Sequence, residues 1–132
     1  MDLEGKVRRV TTRERGLAAE DRALQHLQAQ GLRMVARNFK TPGRGGGEID
    51  LIMREQDGTL VFVEVRLRSR SDRGGAGASI TATKRRRIVL AARHFLLRCR
   101  SMPPCRFDAV LIDGPEGELQ WLRAAFDAGD AA

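Results

Sequence analysis

The chain has 132 residues, of which 42% are hydrophobic, and this predicts a single folded domain over residues 1–132 and argues against wholesale disorder. No apolar run approaches the ~20 residues of a membrane span and the N-terminus lacks the apolar stretch of a signal peptide, so we expect a cytoplasmic protein with no membrane partner. The net charge is +7, with 24 basic residues against 17 acidic ones.

The first predicted element is a helix that starts after Thr11 and ends before Gly31. Thr11 and Glu14 have the spacing of a capping box, and glycine is common just past a helix end. We expect the ordered core to begin at about residue 13.

One stripe of this helix combines leucines with a carboxylate. Leu17, Leu24 and Leu27 share a face at ~100° per residue, and Glu20 falls on the same face. A buried carboxylate without a partner costs several kcal/mol, so Glu20 should have either a metal ion or a counter-charge. A position at the rim of the apolar face is the alternative that this pattern leaves open.

The remaining elements predict a mixed sheet with a crossover helix. A helix between two strands implies a crossover connection, so the order α-β-β-β-α-β(-β) predicts an α/β fold. We expect a frayed tail from residue 127, after a core that ends at about residue 126. The predicted elements are strands over 32–39, 48–53, 60–68 and 107–112, an edge strand over 119–122, a helix over about 82–100, and loops over 41–47 and 69–78.

Two carboxylates on neighbouring strands form the candidate metal site. The alternation of side chains places Glu48 and Asp50 on one side of their strand, and Glu64 and Arg66 on one side of the next. A hairpin can therefore set Asp50 beside Glu64. Clustered carboxylates repel unless a hard cation such as Mg²⁺ or Mn²⁺ lies between them, and such a cation promotes phosphodiester hydrolysis. We expect Glu20 or Glu48 to complete this site.

Positive charge is concentrated in the second half of the chain. Residues 66–106 hold twelve basic residues and one acidic residue, a net charge of +11, which leaves −4 for the rest. This split predicts a polyanion partner, with a solvated basic face as the alternative. Because no base-reading motif is present, we expect contacts with the phosphate backbone of DNA, selective for DNA structure rather than sequence. The candidate DNA-binding residues are Arg68, Arg70, Arg73, Arg85, Arg86 and Arg87.

Six segments between residues 13 and 113 resemble a known family. They are GLAAEDRALQHLQAQG (16–31), RNFK (37–40), GEIDLI (47–52), FVEVRLR (62–68), the helix start at Lys84, and RFDAVLID (106–113). Together they resemble the YraN family of small restriction-endonuclease-like proteins, close to the Holliday-junction-resolvase branch. The resemblance implies a nuclease core in which Asp50 and Glu64 bind metal and a helix-borne glutamate, here Glu20, joins them.

One position departs from the nuclease pattern. The motif expects lysine two residues after Glu64, where this chain has Arg66. Arginine stays protonated and cannot act as a general base, although it can hold a phosphate or orient water. Lys84, four residues before Ile88 on the inward stripe of the second helix, is the candidate to supply the missing ammonium.

Two functions of different classes follow from these features. The first is a metal-dependent DNA endonuclease, which the three carboxylates favour. The second is a nucleic-acid-binding module that keeps the fold without cleavage, which Arg66 favours. A homodimer is compatible with either function.

Overall fold

The computed structural model describes residues 9–43, 45–68, 80–114 and 117–131. The predicted loop with Arg70 and Arg73 lies outside the described residues. The elements are helix α1 (Thr12–Ala29), strands β1 (Arg33–Lys40), β2 (Glu48–Arg54) and β3 (Leu60–Arg68), helix α2 (Ala82–Leu96), strands β4 (Cys105–Asp113) and β5 (Leu119–Phe126), and a 3₁₀ turn (Ala128–Ala131).

The five strands form one mixed sheet in the order β1-β2-β3-β4-β5. β1, β2 and β3 pair antiparallel, β3 and β4 pair parallel, and β5 returns antiparallel to β4. A parallel pair needs a crossover connection, and α2 supplies it. The predicted α/β class and the order of elements are confirmed.

One helix packs on each face of the sheet. α1 covers a core that includes Leu51, Val61 and Val63, whereas α2 covers a second core that includes Phe62 and Leu111. Alternating residues of β3 thus enter opposite cores, as expected for a strand buried on both faces. Neither helix of the described residues is long and apolar enough to cross a bilayer.

The buried face of α1 differs from the predicted leucine stripe. Ala19, Ala23 and Leu27 are buried, while Leu17 is exposed. The prediction for Leu17 is therefore wrong. Two alanines at a spacing of four let the helix approach the sheet closely, and their weak hydrophobicity hides that face from a search for large apolar residues.

The helix ends show which local signals were reliable. The Thr11–Glu14 capping box is present in both directions, and Gly31 follows α1 with φ +98°. α2 ends at Leu96, short of the predicted end near Arg100. Beyond it the N–H groups of residues 97–99 donate to carbonyls three residues earlier, a tighter turn that ends the α-helix without glycine or proline.

The last strand is twice as long as predicted because a buried aspartate supports a bulge within it. The Asp108 carboxylate accepts hydrogen bonds from Trp121 Nε1 and the Ala124 N–H, both at 2.9 Å. Ala124 has φ +49°, and the β4–β5 register shifts there. The strand then continues to Phe126, and a 3₁₀ turn over Ala128–Ala131 occupies the region where we expected a frayed tail.

Candidate metal and nucleic-acid site

A bend in the β1–β2 hairpin positions the first carboxylate. Ile49 packs in the α2-side core and Leu51 in the α1-side core, although residues two apart on a strand normally share a face. Asn38, opposite this point on β1, has φ +53°. The change of face occurs at Asp50, between these two cores.

Asp50 also ends the pairing of β2 with β3. The last paired residues are Leu51 and Val63, and beyond them the Asp50 carboxylate accepts the Val65 N–H at 2.8 Å. The Asp50 side chain thus takes the place of the backbone carbonyl group that would accept this hydrogen bond if the β2–β3 pairing continued. This hydrogen bond fixes the carboxylate near the start of β2, next to Glu64.

Glu64 is the buried partner of Asp50. It is 3% exposed, and burial, followed by the charge of Asp50 and a hydrogen bond with its carboxyl group, raises the pKa of Glu64 to about 8. The Lys84 ammonium, with Nζ at 3.2 Å from Glu64 Oε2, acts in the opposite direction and lowers that pKa. The structure therefore brings together Asp50, Glu64 and Lys84, three of the predicted site residues.

Glu20 approaches the same pair from α1. Burial, followed by the charge of Asp50, raises the pKa of Glu20, while Arg37 and Asn38 lower it. Glu20 Oε1 accepts a hydrogen bond from Arg37 Nε at 3.3 Å. Asp50 thus interacts electrostatically with both Glu20 and Glu64, and we call these three groups the carboxylate row. Arg37 supplies the counter-charge that the place of Glu20 on the helix required.

Arg37 is a site residue that sequence reasoning did not single out. Its guanidinium also donates to Asp21 Oδ1 at 2.7 Å and to the Leu17 carbonyl at 3.2 Å, which fixes β1 against α1. The only sequence signal was its place in the RNFK segment, since nothing in the local pattern shows that this strand lies beside Glu20.

The carboxylate groups at this site supply part of the set of oxygen ligands that a hard divalent cation requires. Within the described residues no three His, Cys, Asp or Glu side chains lie close enough together to hold a metal ion. The charge of Asp50, however, helps to raise the pKa of Glu64, and a cation between the two carboxylates would relieve the same repulsion. A third ligand would have to come from Glu20, after release from Arg37, or from the exposed Glu48.

Two clefts open beside the carboxylate row and share Lys40 and Glu48. One, of about 340 Å³, is lined by Arg13, Glu20 and Asn38 as well. The other, of about 220 Å³, lies between the loop after β1 and the start of α2, where Lys84 and Arg87 line it. Glu20 lines the larger cleft, whereas the smaller cleft reaches the row through Lys84, which contacts Glu64.

The other predicted basic residues are dispersed. Arg66 is exposed at the end of β3, two residues after Glu64, whereas Arg68 is buried with its guanidinium 3.0 Å from Asp113 Oδ1. Arg68 is thus held within the protein and does not present its guanidinium for contact with DNA, contrary to the prediction. Arg85 lies over the Phe126 ring at 5.9 Å, Arg86 donates to Thr83 within α2, and Arg87 is exposed in the smaller cleft.

Comparison with known proteins places the chain in a family. Residues 19–112 match the model described as "Uncharacterised protein family UPF0102", a range that contains Glu20, Asp50, Glu64 and Lys84. The chain belongs to family UPF0102. This is the YraN family, so the resemblance inferred from the six segments is confirmed.

Relatives in UPF0102 match this chain over most of its length. A UPF0102 protein of Paracidovorax citrulli is 70% identical over 125 residues, which cover 95% of this chain and 91% of that protein. One from an Acidovorax species is 69% identical, covering 89% of this chain and 88% of the relative. A third, from Methylibium petroleiphilum, is 54% identical, covering 90% and 98%.

Proposed function

We propose that this UPF0102 protein is a metal-dependent endonuclease that hydrolyses phosphodiester bonds in DNA, with branched structures such as Holliday junctions as its preferred substrates. The observation that carries the proposal is the Asp50–Glu64 pair. A buried carboxylate, its neighbour on the next strand and a lysine at 3.2 Å lie beside two open clefts, one lined by that lysine and the other by Glu20. Structural stability alone does not require such a group, because a buried carboxylate with a raised pKa is destabilising when it ionises.

The carboxylates would hold Mg²⁺ or Mn²⁺. Asp50 and Glu64 are the proposed ligands, with Glu20 or Glu48 as the third. When bound, the cation supplies a Lewis acid that lowers the pKa of water and offsets the charge that develops on the phosphate. The Val65 N–H keeps Asp50 in place for this role, because its hydrogen bond to Oδ2 leaves the carboxylate little freedom to turn.

Lys84 and Arg66 have separate tasks in this proposal. Lys84 stabilises the ionised form of Glu64, the form that binds a cation, through their ion pair at 3.2 Å. Arg66 is exposed on the strand that carries Glu64 and stays protonated, so it holds the scissile phosphate and accepts no proton.

The arrangement around Glu20 supports a second candidate function, a DNA-binding module without cleavage. Arg37 holds Glu20 at 3.3 Å, and the described residues contain no cluster of three metal-ligating side chains. If Arg37 keeps Glu20 when DNA binds, Asp50 and Glu64 alone offer a weak site for a hard cation that prefers about six oxygen ligands. Catalysis therefore requires that this ion pair opens or that Glu48 replaces Glu20.

Cleavage assays distinguish the two functions. We expect the protein to cut four-way-junction DNA in preference to linear or nicked duplexes in Mg²⁺ or Mn²⁺, and to lose this activity in chelator or on the substitution Asp50→Asn. Asp57→Asn is the matched control, since Asp57 is exposed in the turn between β2 and β3, at the opposite end of these strands from Asp50 and Glu64. DNA binding without cleavage of any substrate in either metal would support the binding module instead.

A further inference from the structure

The smaller cleft has a preformed wall. Thr41 is buried, its N–H donates to the Gly47 carbonyl at 3.0 Å, and its Oγ1 accepts the Gly47 N–H at 2.6 Å. Gly47 in turn lies directly against α2, where a Cβ would come within 2.0 Å of the Arg87 carbonyl oxygen. The two ends of the loop are therefore fixed to each other and to the helix, and the cleft exists before any ligand binds.

The charge of this cleft differs from that of its neighbour. Among the described residues, Lys40, Lys84 and Arg87 line it together with one acid, Glu48. Because Lys84 is paired with Glu64, Lys40 and Arg87 against Glu48 leave an excess of one positive charge. The larger cleft has Arg13 and Lys40 against Glu20 and Glu48, so its charges balance. Both lie beside the carboxylate row, but only the smaller cleft has a net attraction for an anion.

The smaller cleft also adjoins the candidate metal site directly. Lys84 lines it, and the Nζ atom of the same residue lies 3.2 Å from Glu64 Oε2. The cleft has a volume of about 220 Å³. Lys84 therefore connects an anion bound in this cleft to the candidate metal site at Glu64.

We propose that this cleft is a phosphate subsite, which binds a backbone phosphate of the DNA strand adjacent to the phosphate that is cleaved. The identity of the ligand as DNA rests on the proposed function, whereas the geometry and charge of the cleft do not. Lys40 and Arg87 bind this phosphate from opposite walls, one at the end of β1 and the other on α2. The strand then passes over Asp50 and Glu64 toward the balanced cleft on the α1 side.

Equilibrium binding of a fluorescent four-way-junction DNA in chelator, measured over a series of NaCl concentrations, tests this subsite without cleavage. For Arg87→Ala and for Lys40→Ala we expect the slope of log K against log salt to become shallower by about one, and Kd to rise about eightfold at 0.1 M salt, as for one lost phosphate contact. The control is Arg33→Ala. Arg33 is exposed at the other end of β1, roughly 20 Å from Lys40 at ~3.3 Å per residue, and its loss should leave the slope unchanged.

The outcomes separate this subsite from the nuclease function. Suppose that the wild type binds DNA without cutting it, while Arg87→Ala still makes the slope of log K against log salt shallower by one. That result would support the subsite and contradict the nuclease function. If the protein cuts DNA, the subsite predicts a raised KM with kcat nearly unchanged for Arg87→Ala. Equal slopes for Arg87→Ala and Arg33→Ala, or no binding of DNA by the wild type, would overturn the proposal.

Discussion

In the absence of divalent cations, the free energy of unfolding should fall by as much as about 5 kcal/mol as the pH rises from 4.5 to about 8, because of Glu64. Burial and the charge of Asp50 raise the pKa of Glu64 from 4.5 to about 8. Over that range the folded protein keeps a proton that the unfolded chain releases, so the stabilisation is complete below pH 4.5 and is lost as the pH rises through 8. The raised pKa of Glu20 acts in the same direction, and Lys84 opposes the shift of Glu64.

Urea unfolding in chelator at several pH values measures this effect. Glu64→Gln should be more stable than the wild type at pH 8 and should depend much less on pH, since the amide cannot ionise. Glu118→Gln changes an exposed glutamate just before β5 and should follow the wild type. Parallel curves for the wild type and Glu64→Gln would show that Glu64 does not hold a proton in the folded state.

Replacement of Lys84 or Arg66 by alanine should lower DNA cleavage by ~10²-fold or more, the scale for loss of one preorganised charge. The two losses should differ in their pH dependence. Removal of Lys84 takes away the charge that lowers the pKa of Glu64, so activity should return in part at higher pH, where Glu64 ionises and can bind the cation. Arg66→Ala should show no such recovery, whereas Arg66→Lys should keep substantial activity because the positive charge remains.

The control for both substitutions is Arg93→Ala, which removes an exposed arginine from the last turn of α2 and should cleave normally. Normal cleavage by Arg66→Ala combined with an inactive Lys84→Ala would assign the phosphate-holding charge to Lys84. A Lys84→Ala profile that is lowered equally at every pH would contradict the link between Lys84 and the ionisation of Glu64.

The order of the elements was largely predictable because several of them have strong local signals. The capping box at Thr11, the β-branched run of β3 and the helix between two strands were enough to predict the α/β order. The errors arose where tertiary contacts override local pattern. The buried face of α1 depends on alanines that fit against the sheet, and β5 extends past its bulge because of Asp108, far away in the sequence.

The candidate site was predictable in composition but not in detail. Alternation along two strands was enough to pair Asp50 with Glu64, and helical spacing brought Lys84 inward. No periodic pattern shows the bend at Asp50, since it breaks the alternation on which the prediction relied. The roles of Arg37 and Lys40 depend on how β1 lies against α1 and the loop, which only the packed structure shows.

The most direct test is a calorimetric titration of Mn²⁺ into the wild type, Asp50→Asn and the control Asp57→Asn, in buffers of different ionisation enthalpy. The central claim, a divalent cation between Asp50 and Glu64, predicts that the wild type and Asp57→Asn bind one ion. It also predicts that binding below pH 8 releases a proton from the carboxyl pair, and that Asp50→Asn loses this binding. Equal binding of Mn²⁺ by the wild type and Asp50→Asn would contradict the claim.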